Sequence, residues 1–172
     1  MKTTEVVVEL VVVGSGVLGI ALIHAHDVSP HAQLTEDFGN SILLGFFMFV
    51  CCYVAGIVID RLADVVFSPI EDIIRRRYFE SIEAYQKFRA VSLDSSERMR
   101  DWSRYNRVRA RVCRGWVVNS LFFAIYFLWS DKIIFFSSPW MLVPLAGVLF
   151  LSWLRLTIKE VEGFSALKLS EE

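Results

Sequence analysis

Residues 103–129 read SRYNRVRARVCRGWVVNSLFFAIYFLW. This stretch contains no proline, and its single glycine, Gly115, separates an arginine-rich half from an apolar half. A lone glycine only weakens a helix, and a helix within a membrane tolerates it. We therefore predict one continuous helix over about residues 96–129, roughly 50 Å long at 1.5 Å per residue. Its second half would cross a bilayer, and its first half would remain in water.

Three further apolar stretches predict three more transmembrane helices. A hydrocarbon core about 30 Å thick requires roughly 20 helical residues, and residues 6–23, 41–59 and 139–156 are of about that length. Ser138 followed by Pro139 is typical of a helix start. The whole chain has 172 residues, of which 55% are hydrophobic and 14% aromatic. That composition exceeds the apolar share of ordinary soluble domains. We predict an all-α integral membrane protein with four transmembrane helices.

The positions of lysine and arginine predict the orientation. Residues 60–114 contain 13 of the 18 basic side chains, residues 24–40 contain none, and the link between spans three and four contains only Lys132. Basic loops remain on the cytoplasmic side, so we expect a multi-pass protein of the inner (cell) membrane with both termini in the cytoplasm. A cleaved signal peptide is the alternative for the first span, but Glu5 and Glu9 offset Lys2 and favour retention.

The basic middle segment, residues 60–114, is predicted to be a cytoplasmic antiparallel helical hairpin between spans two and three. Ser68 to Glu71 form a capping box with proline at the first helical position, which predicts a helix start at Pro69. An apolar stripe then follows helical spacing: Ile70, Ile74, Tyr78, Ile82, Tyr85 and Phe88. Residues 92–94 would form the turn, and a second capping box, Asp94 to Glu97, would start the returning helix. We expect residues 60–68 to lie along the inner membrane surface or to kink at Pro69.

The chain would therefore be organised in four parts. Residues 1–59 hold spans one and two with an extracytoplasmic loop at 24–40, and residues 60–114 form the hairpin. Residues 115–156 hold spans three and four, and residues 157–172 form a cytoplasmic tail.

Five arginines follow one line on the returning helix. They are Arg100, Arg104, Arg107, Arg111 and Arg114, which we call the arginine row. Their spacings of 4, 3, 4 and 3 place them on one face of a helix of 3.6 residues per turn. Arginine binds phosphate and carboxylate through paired donors, so the row would suit anionic lipid headgroups or a cytoplasmic protein partner. The plainer interpretation is neutralisation by acids of the facing helix, with the rest exposed to water. Direct binding of nucleic acid is not expected.

Small residues four positions apart occur within three spans. These pairs, Ser15 with Gly19, Cys52 with Gly56 and Ser120 with Ala124, let helices approach closely within one chain or between copies. Two polar residues are candidates for a pore or an ion site, Glu9 and Asn119. For Glu9 the commoner alternative is a side chain that reaches the headgroup layer, and for Asn119 it is a hydrogen bond between helices.

The sequence contains no nucleophile–base pair, no metal-ligand spacing and no glycine-rich phosphate loop. We therefore expect neither an enzyme nor a bound cofactor. One function is a membrane-embedded sensor or anchor that forms a homo-oligomer and docks a cytoplasmic partner through its basic hairpin. The alternative is an oligomeric pore or ion channel lined by Ser15, Asn119 or Glu9. Spans this apolar favour the sensor or anchor.

Two segments carry a resemblance to a known kind of protein. The second span runs through GIVIDRLAD, residues 56–64, into the basic segment, which returns by SRYNRVRARVCRGWVVN, residues 103–119. This arrangement resembles the small four-span membrane subunits of prokaryotic antiviral defence systems, such as the Kiwa type. The resemblance implies a homo-oligomer that senses membrane disturbance and works with a soluble effector. It matches no signature motif residue by residue, so it assigns no functional position.

Overall fold

A computed structural model describes residues 3–28, 42–129 and 139–171. Over these residues the chain forms five α-helices and no β-strand. They are α1 (Thr3–Val28), α2 (Ile42–Tyr78), α3 (Ile82–Ser95), α4 (Glu97–Trp129) and α5 (Pro139–Glu171). All except α3 are long and apolar enough to cross a membrane. The predicted all-α class and the four spans are confirmed.

The outward faces of the spans are apolar. Phe46 of α2, Leu128 of α4 and Val148 of α5 are 69%, 66% and 62% exposed. Soluble monomers rarely leave large apolar surfaces in water, whereas lipid tails cover them without cost. The chain is therefore a multi-pass membrane protein.

The helix predicted over residues 96–129 is also present. Helix α4 runs from Glu97 through Gly115 to Trp129 without a break, and the Ser96 hydroxyl accepts a hydrogen bond from the Met99 amide at 3.3 Å. Helix α5 begins at Pro139, as its sequence predicts. The expected cap Ser138, Lys132 and most of the predicted outer loop lie outside the described residues.

The prediction of a helix start at Pro69 is wrong. Helix α2 is 37 residues long and passes through Pro69 to Tyr78. Proline removes one hydrogen bond from a helix interior, but Ala63 and Phe67, six and two positions before it, are buried in the core and hold the helix together. A capping box is a local signal, and tertiary packing overrides it here.

The chain also turns at other places than residues 92–94. The first break lies at residues 79–81, where the Ser81 hydroxyl caps α3 by accepting a hydrogen bond from the Ala84 amide at 3.0 Å. Helix α3 then continues to Ser95, and the second break is at Ser96. The predicted first arm of the hairpin is thus divided between the end of α2 and the separate helix α3.

Residues 157–171, predicted as a tail, continue α5 to Glu171. The buried side chains Trp153, Thr157, Val161 and Phe164 form one stripe on this helix, with spacings of 4, 4 and 3. This stripe was visible in the sequence as helical periodicity.

Two apolar clusters make up the core. The first joins α1, α2, α4 and α5 and contains Val13, Ile59, Ala63, Phe67, Val117, Val118 and Trp153. The second joins the break after α2 to α3 and α5 and contains Phe79, Tyr85, Val161 and Phe164, with Trp102 of α4 packed against it. We call the part around the second cluster, residues 70–110 and 157–171, the polar bundle. Helices α2, α4 and α5 pass from the spans into it without interruption.

Helices α1 and α2 approach each other at two glycines. A methyl group on Gly14 would overlap the backbone carbonyl of Cys52, and one on Gly56 would overlap the carbonyl of Leu10. Glycine at these positions lets the two backbones touch. Gly56, a predicted packing residue, lies at this contact, and Cys52 contributes its backbone.

The other predicted small residues are placed differently. Ser120 and Ala124 are buried, and a methyl on Gly19 would make an ordinary contact with Phe123. Ser15 is exposed, and its hydroxyl donates to the Val12 carbonyl of its own helix at 2.8 Å. Gly14, its neighbour, occupies the helix contact instead.

Candidate functional site

The arginine row divides into three groups along α4. Arg100, nearest the start of the helix, donates from Nε to the Leu93 carbonyl at 3.0 Å and binds the end of α3. Arg104 lines a groove together with Glu9 of α1. Arg107, Arg111 and Arg114 line a cavity inside the molecule. The row is thus not one uniform exposed strip.

Arg111 and Arg114 join three helices through a charge network. Arg111 lies 3.1 Å from Glu9 of α1 and 3.4 Å from Asp60 of α2. Arg114 lies 3.2 Å from Asp60 and also pairs with Asp64 and with Glu71. We call these six residues the boundary network, because they lie where the spans pass into the polar bundle.

Glu9 does not reach outwards as the sequence interpretation favoured. Its side chain is 5% exposed and faces Arg111. A buried charge is costly without a partner, so the position of α1 is coupled to that of α4. Asn119 likewise joins α4 to α1, because its Nδ2 donates to the Val13 carbonyl at 2.7 Å and the residue is fully buried.

A cavity of about 120 Å³ lies between α2, α3, α4 and α5, where the polar bundle meets the spans. Five arginines line it: Arg75, Arg89, Arg107, Arg111 and Arg114. Only two carboxylates, Glu71 and Glu160, line it with them. We call this space the arginine cavity. Its volume is several times what one water molecule requires.

Four of the five arginines are already engaged by acids. Arg75 binds Glu71 at 2.7 Å and Asp72 at 3.0 Å, and Arg89 binds Glu160 at 3.2 Å. Arg111 and Arg114 belong to the boundary network. Among the described residues, Arg107 has no carboxylate within 4.0 Å.

Two neutral polar side chains also line the cavity. Tyr85 and Thr157 lie beside the guanidinium groups. Burial raises the pKa of Tyr85, and the Glu160 carboxylate raises it further. The phenol therefore keeps its proton at neutral pH and adds no negative charge to the cavity.

The sequence interpretation did not identify Arg75, Arg89 and Glu160 as part of a site. Arg75 sits four positions after Glu71, a spacing typical of a surface ion pair. Glu160 lies in the segment interpreted as a tail. The packing of α2, α3 and α5 around α4 brings these three residues to the cavity that Arg107, Arg111 and Arg114 line.

Comparison of the chain with protein-family models, with curated proteins and with solved structures finds no match. The functional interpretation therefore depends on the geometry of the chain itself.

Proposed function

We propose that this chain is a non-catalytic subunit of the cell membrane that senses the state of the bilayer or anchors a complex, and that docks a cytoplasmic partner. The polar bundle and both termini lie in the cytoplasm in this proposal, in agreement with the distribution of basic residues. A role in antiviral defence is part of the proposal only through the resemblance of residues 56–64 and 103–119.

The observation that carries the proposal is the continuity of the helices. Three of the four spans extend into the polar bundle as unbroken helices, and the boundary network ties α1 to two of them. A change in the tilt or depth of a span would therefore move the helices of the polar bundle directly. Such rigid coupling is what a sensor of bilayer thickness requires.

The polar residues expected to line a pore support this proposal over the alternative. Glu9 faces Arg111, and Asn119 donates to α1, so both serve contacts between helices of one chain. Ser15 satisfies its hydroxyl within its own helix. These contacts leave little polar surface for a conduit between copies.

The test of sensing is a distance measurement across the polar bundle. Spin labels at Lys87→Cys on α3 and Lys159→Cys on α5, in a chain without its native cysteines, would report their separation in bilayers of short and long acyl chains. We expect the separation to change with bilayer thickness. Val112→Gly with Cys113→Gly, at the junction of span and bundle, should abolish the change because two glycines weaken α4 by about 2 kcal/mol.

The matched control is Leu121→Gly with Phe122→Gly, which weakens α4 equally but within the span. We expect it to retain most of the response. If the spin labels at positions 87 and 159 show the same separation in every bilayer in the chain without glycine substitutions, the result argues against sensing. Reproducible single-channel currents from purified protein in a planar bilayer would instead favour the pore.

Homo-oligomerisation and partner docking are tested separately. The mass of the purified protein–detergent complex gives the number of copies. Co-purification with the product of an adjacent gene tests docking, with Arg100→Gln and Arg104→Gln together expected to weaken it. Arg111 is left unchanged in this test because its removal would disturb the boundary network.

A further inference from the structure

Five arginines line the arginine cavity, and four of them are paired with carboxylates. The charge that the described residues do not neutralise at close range is that of Arg107. Like charges gathered in a confined space repel each other, and the repulsion is relieved when an anion binds among them.

The shape of the cluster selects the kind of anion. The guanidinium groups come from three helices, with Arg75 on α2, Arg89 on α3 and the remaining three on α4. A planar carboxylate satisfies one or two such groups, whereas a tetrahedral phosphate presents oxygens in several directions. A cavity of about 120 Å³ has room for a phosphate group. Because Arg107 is exposed as well as lining the cavity, whatever carries the phosphate can extend outwards on that side.

We propose that the arginine cavity binds a phosphate group, with Arg107 as the residue that contacts it and is not otherwise engaged. The phosphate belongs either to a lipid headgroup or to a soluble phosphate, since both offer the same chemistry. This inference does not rest on the sensing role, because a simple anchor can hold the same ligand.

The experiment uses the full chain purified in an uncharged, phosphate-free detergent and has two arms. In the first, inorganic phosphate is titrated and binding is followed by the rise in unfolding temperature. In the second, the chain is reconstituted in vesicles of phosphatidylcholine with or without phosphatidic acid, extracted, and examined for retained lipid by native mass spectrometry. Competition by inorganic phosphate in the second arm distinguishes a soluble ligand from a headgroup.

The variants compare two arginines on one helix. Arg107→Gln is expected to weaken phosphate binding about tenfold or more, the fold-change for the loss of a hydrogen bond to a charged group. Arg109→Gln makes the same change two positions away, where the guanidinium lies over the Tyr105 ring at 5.2 Å and outside the cavity. It should leave binding unchanged. Arg107→Lys keeps the charge without the paired donors and should lie between them.

If Arg107→Gln weakens phosphate binding and Arg109→Gln does not, the result supports the site in either arm. The arm in which binding is weakened shows whether the phosphate is soluble or belongs to a lipid headgroup. Equal binding by Arg107→Gln and Arg109→Gln overturns the site. So does a native chain that shows saturable binding of neither inorganic phosphate nor phosphatidic acid. Because Arg107 carries no described ion pair, its replacement is expected to leave the circular dichroism spectrum unchanged, which makes loss of fold easy to recognise.

Discussion

Glu9 and Arg111 are 102 positions apart in sequence and 3.1 Å apart in the fold. Buried ion pairs contribute little net stability, because the desolvation of both charges offsets their attraction. Removal of one partner is nevertheless strongly destabilising, since it leaves the other charge buried. The pair therefore acts mainly to fix where α1 lies against α4.

We expect Arg111→Met to destabilise the chain by about 3–5 kcal/mol, because Glu9 and Asp60 lose a shared counter-charge. The double variant Glu9→Leu with Arg111→Met should recover part of that loss. Reversible unfolding in mixed micelles measures both. Arg109→Met, whose guanidinium contacts only the Tyr105 ring in the described contacts, is the control and should change stability little. Similar losses for the two single arginine variants would contradict the assignment.

Two glycines of α2, Gly45 and Gly56, allow the same substitution to be compared with and without a close helix contact. At Gly56 a methyl group would overlap the Leu10 carbonyl, whereas Gly45 has open space around it. We expect Gly56→Ala to destabilise by about 1–3 kcal/mol through overpacking. Gly45→Ala should be neutral or stabilising by up to about 1 kcal/mol, because alanine is the better helix former. The same unfolding experiment compares them, and a neutral Gly56→Ala would refute the close contact of α1 with α2.

For single residues, the sequence predicted the face of the helix on which a side chain lies better than it predicted the residue that the side chain contacts. The spacing of the arginine row follows from helix geometry and needed only the local sequence. The acids that meet it come from α1 and α2, and nothing in a linear pattern pairs residues so far apart. Gly56 was identified by its spacing from Cys52. Gly14 was not identified, because it belongs to none of the three pairs of small residues four positions apart.

Among the elements, α4 was predictable because no proline interrupts it. Its cap was predicted less well: the capping box was expected to begin at Asp94, but Asp94 lies in α3 and Ser96 caps α4. Pro69 misled the prediction for α2 because a capping motif weighs little against the buried side chains on the same helix. The extension of α5 was missed because apolar residues past Leu156 are spaced for a helix yet mixed with charges.

Residues 157–171, the extension of α5, pack against the other helices of the polar bundle through Phe164. Phe164 is fully buried against Tyr85 of α3 and Trp102 of α4. We expect Phe164→Ala to destabilise the polar bundle by about 3–5 kcal/mol while the spans remain inserted. Hydrogen exchange in residues 82–95 should rise, because α3 loses much of its support. Leu167→Ala, at a side chain 36% exposed, is the control. Unaltered exchange in α3 would mean that the extension is the tail first expected.

For the whole molecule, the four spans were predictable because hydropathy and length suffice to recognise them. The sequence also indicated that a basic segment stands apart from the membrane. The polar bundle, with its own core and its arginine cavity, was not predictable because it draws on four helices at once. Its side of the membrane remains a prediction from the basic residues.

Cysteine labelling on intact cells tests that orientation. In a chain without its native cysteines, Ser95→Cys in the polar bundle should react with a membrane-impermeant maleimide only after the cells are permeabilised. His31→Cys, in the predicted outer loop, should react without permeabilisation. The reason is the concentration of basic residues around Ser95, which favours the cytoplasmic side. Labelling of Ser95→Cys in intact cells would reverse the topology.

The distance in sequence between Glu9 and Arg111 has a consequence for biosynthesis. The ribosome completes Glu9 102 residues before Arg111, which at about 5–20 residues per second is roughly 5–20 s earlier. During that interval Glu9 lacks the counter-charge of Arg111, and we expect its carboxylate to stay among the headgroups. We therefore expect α1 to reach its final depth only after α4 is inserted, and a chain arrested between spans two and three to hold α1 closer to the membrane surface.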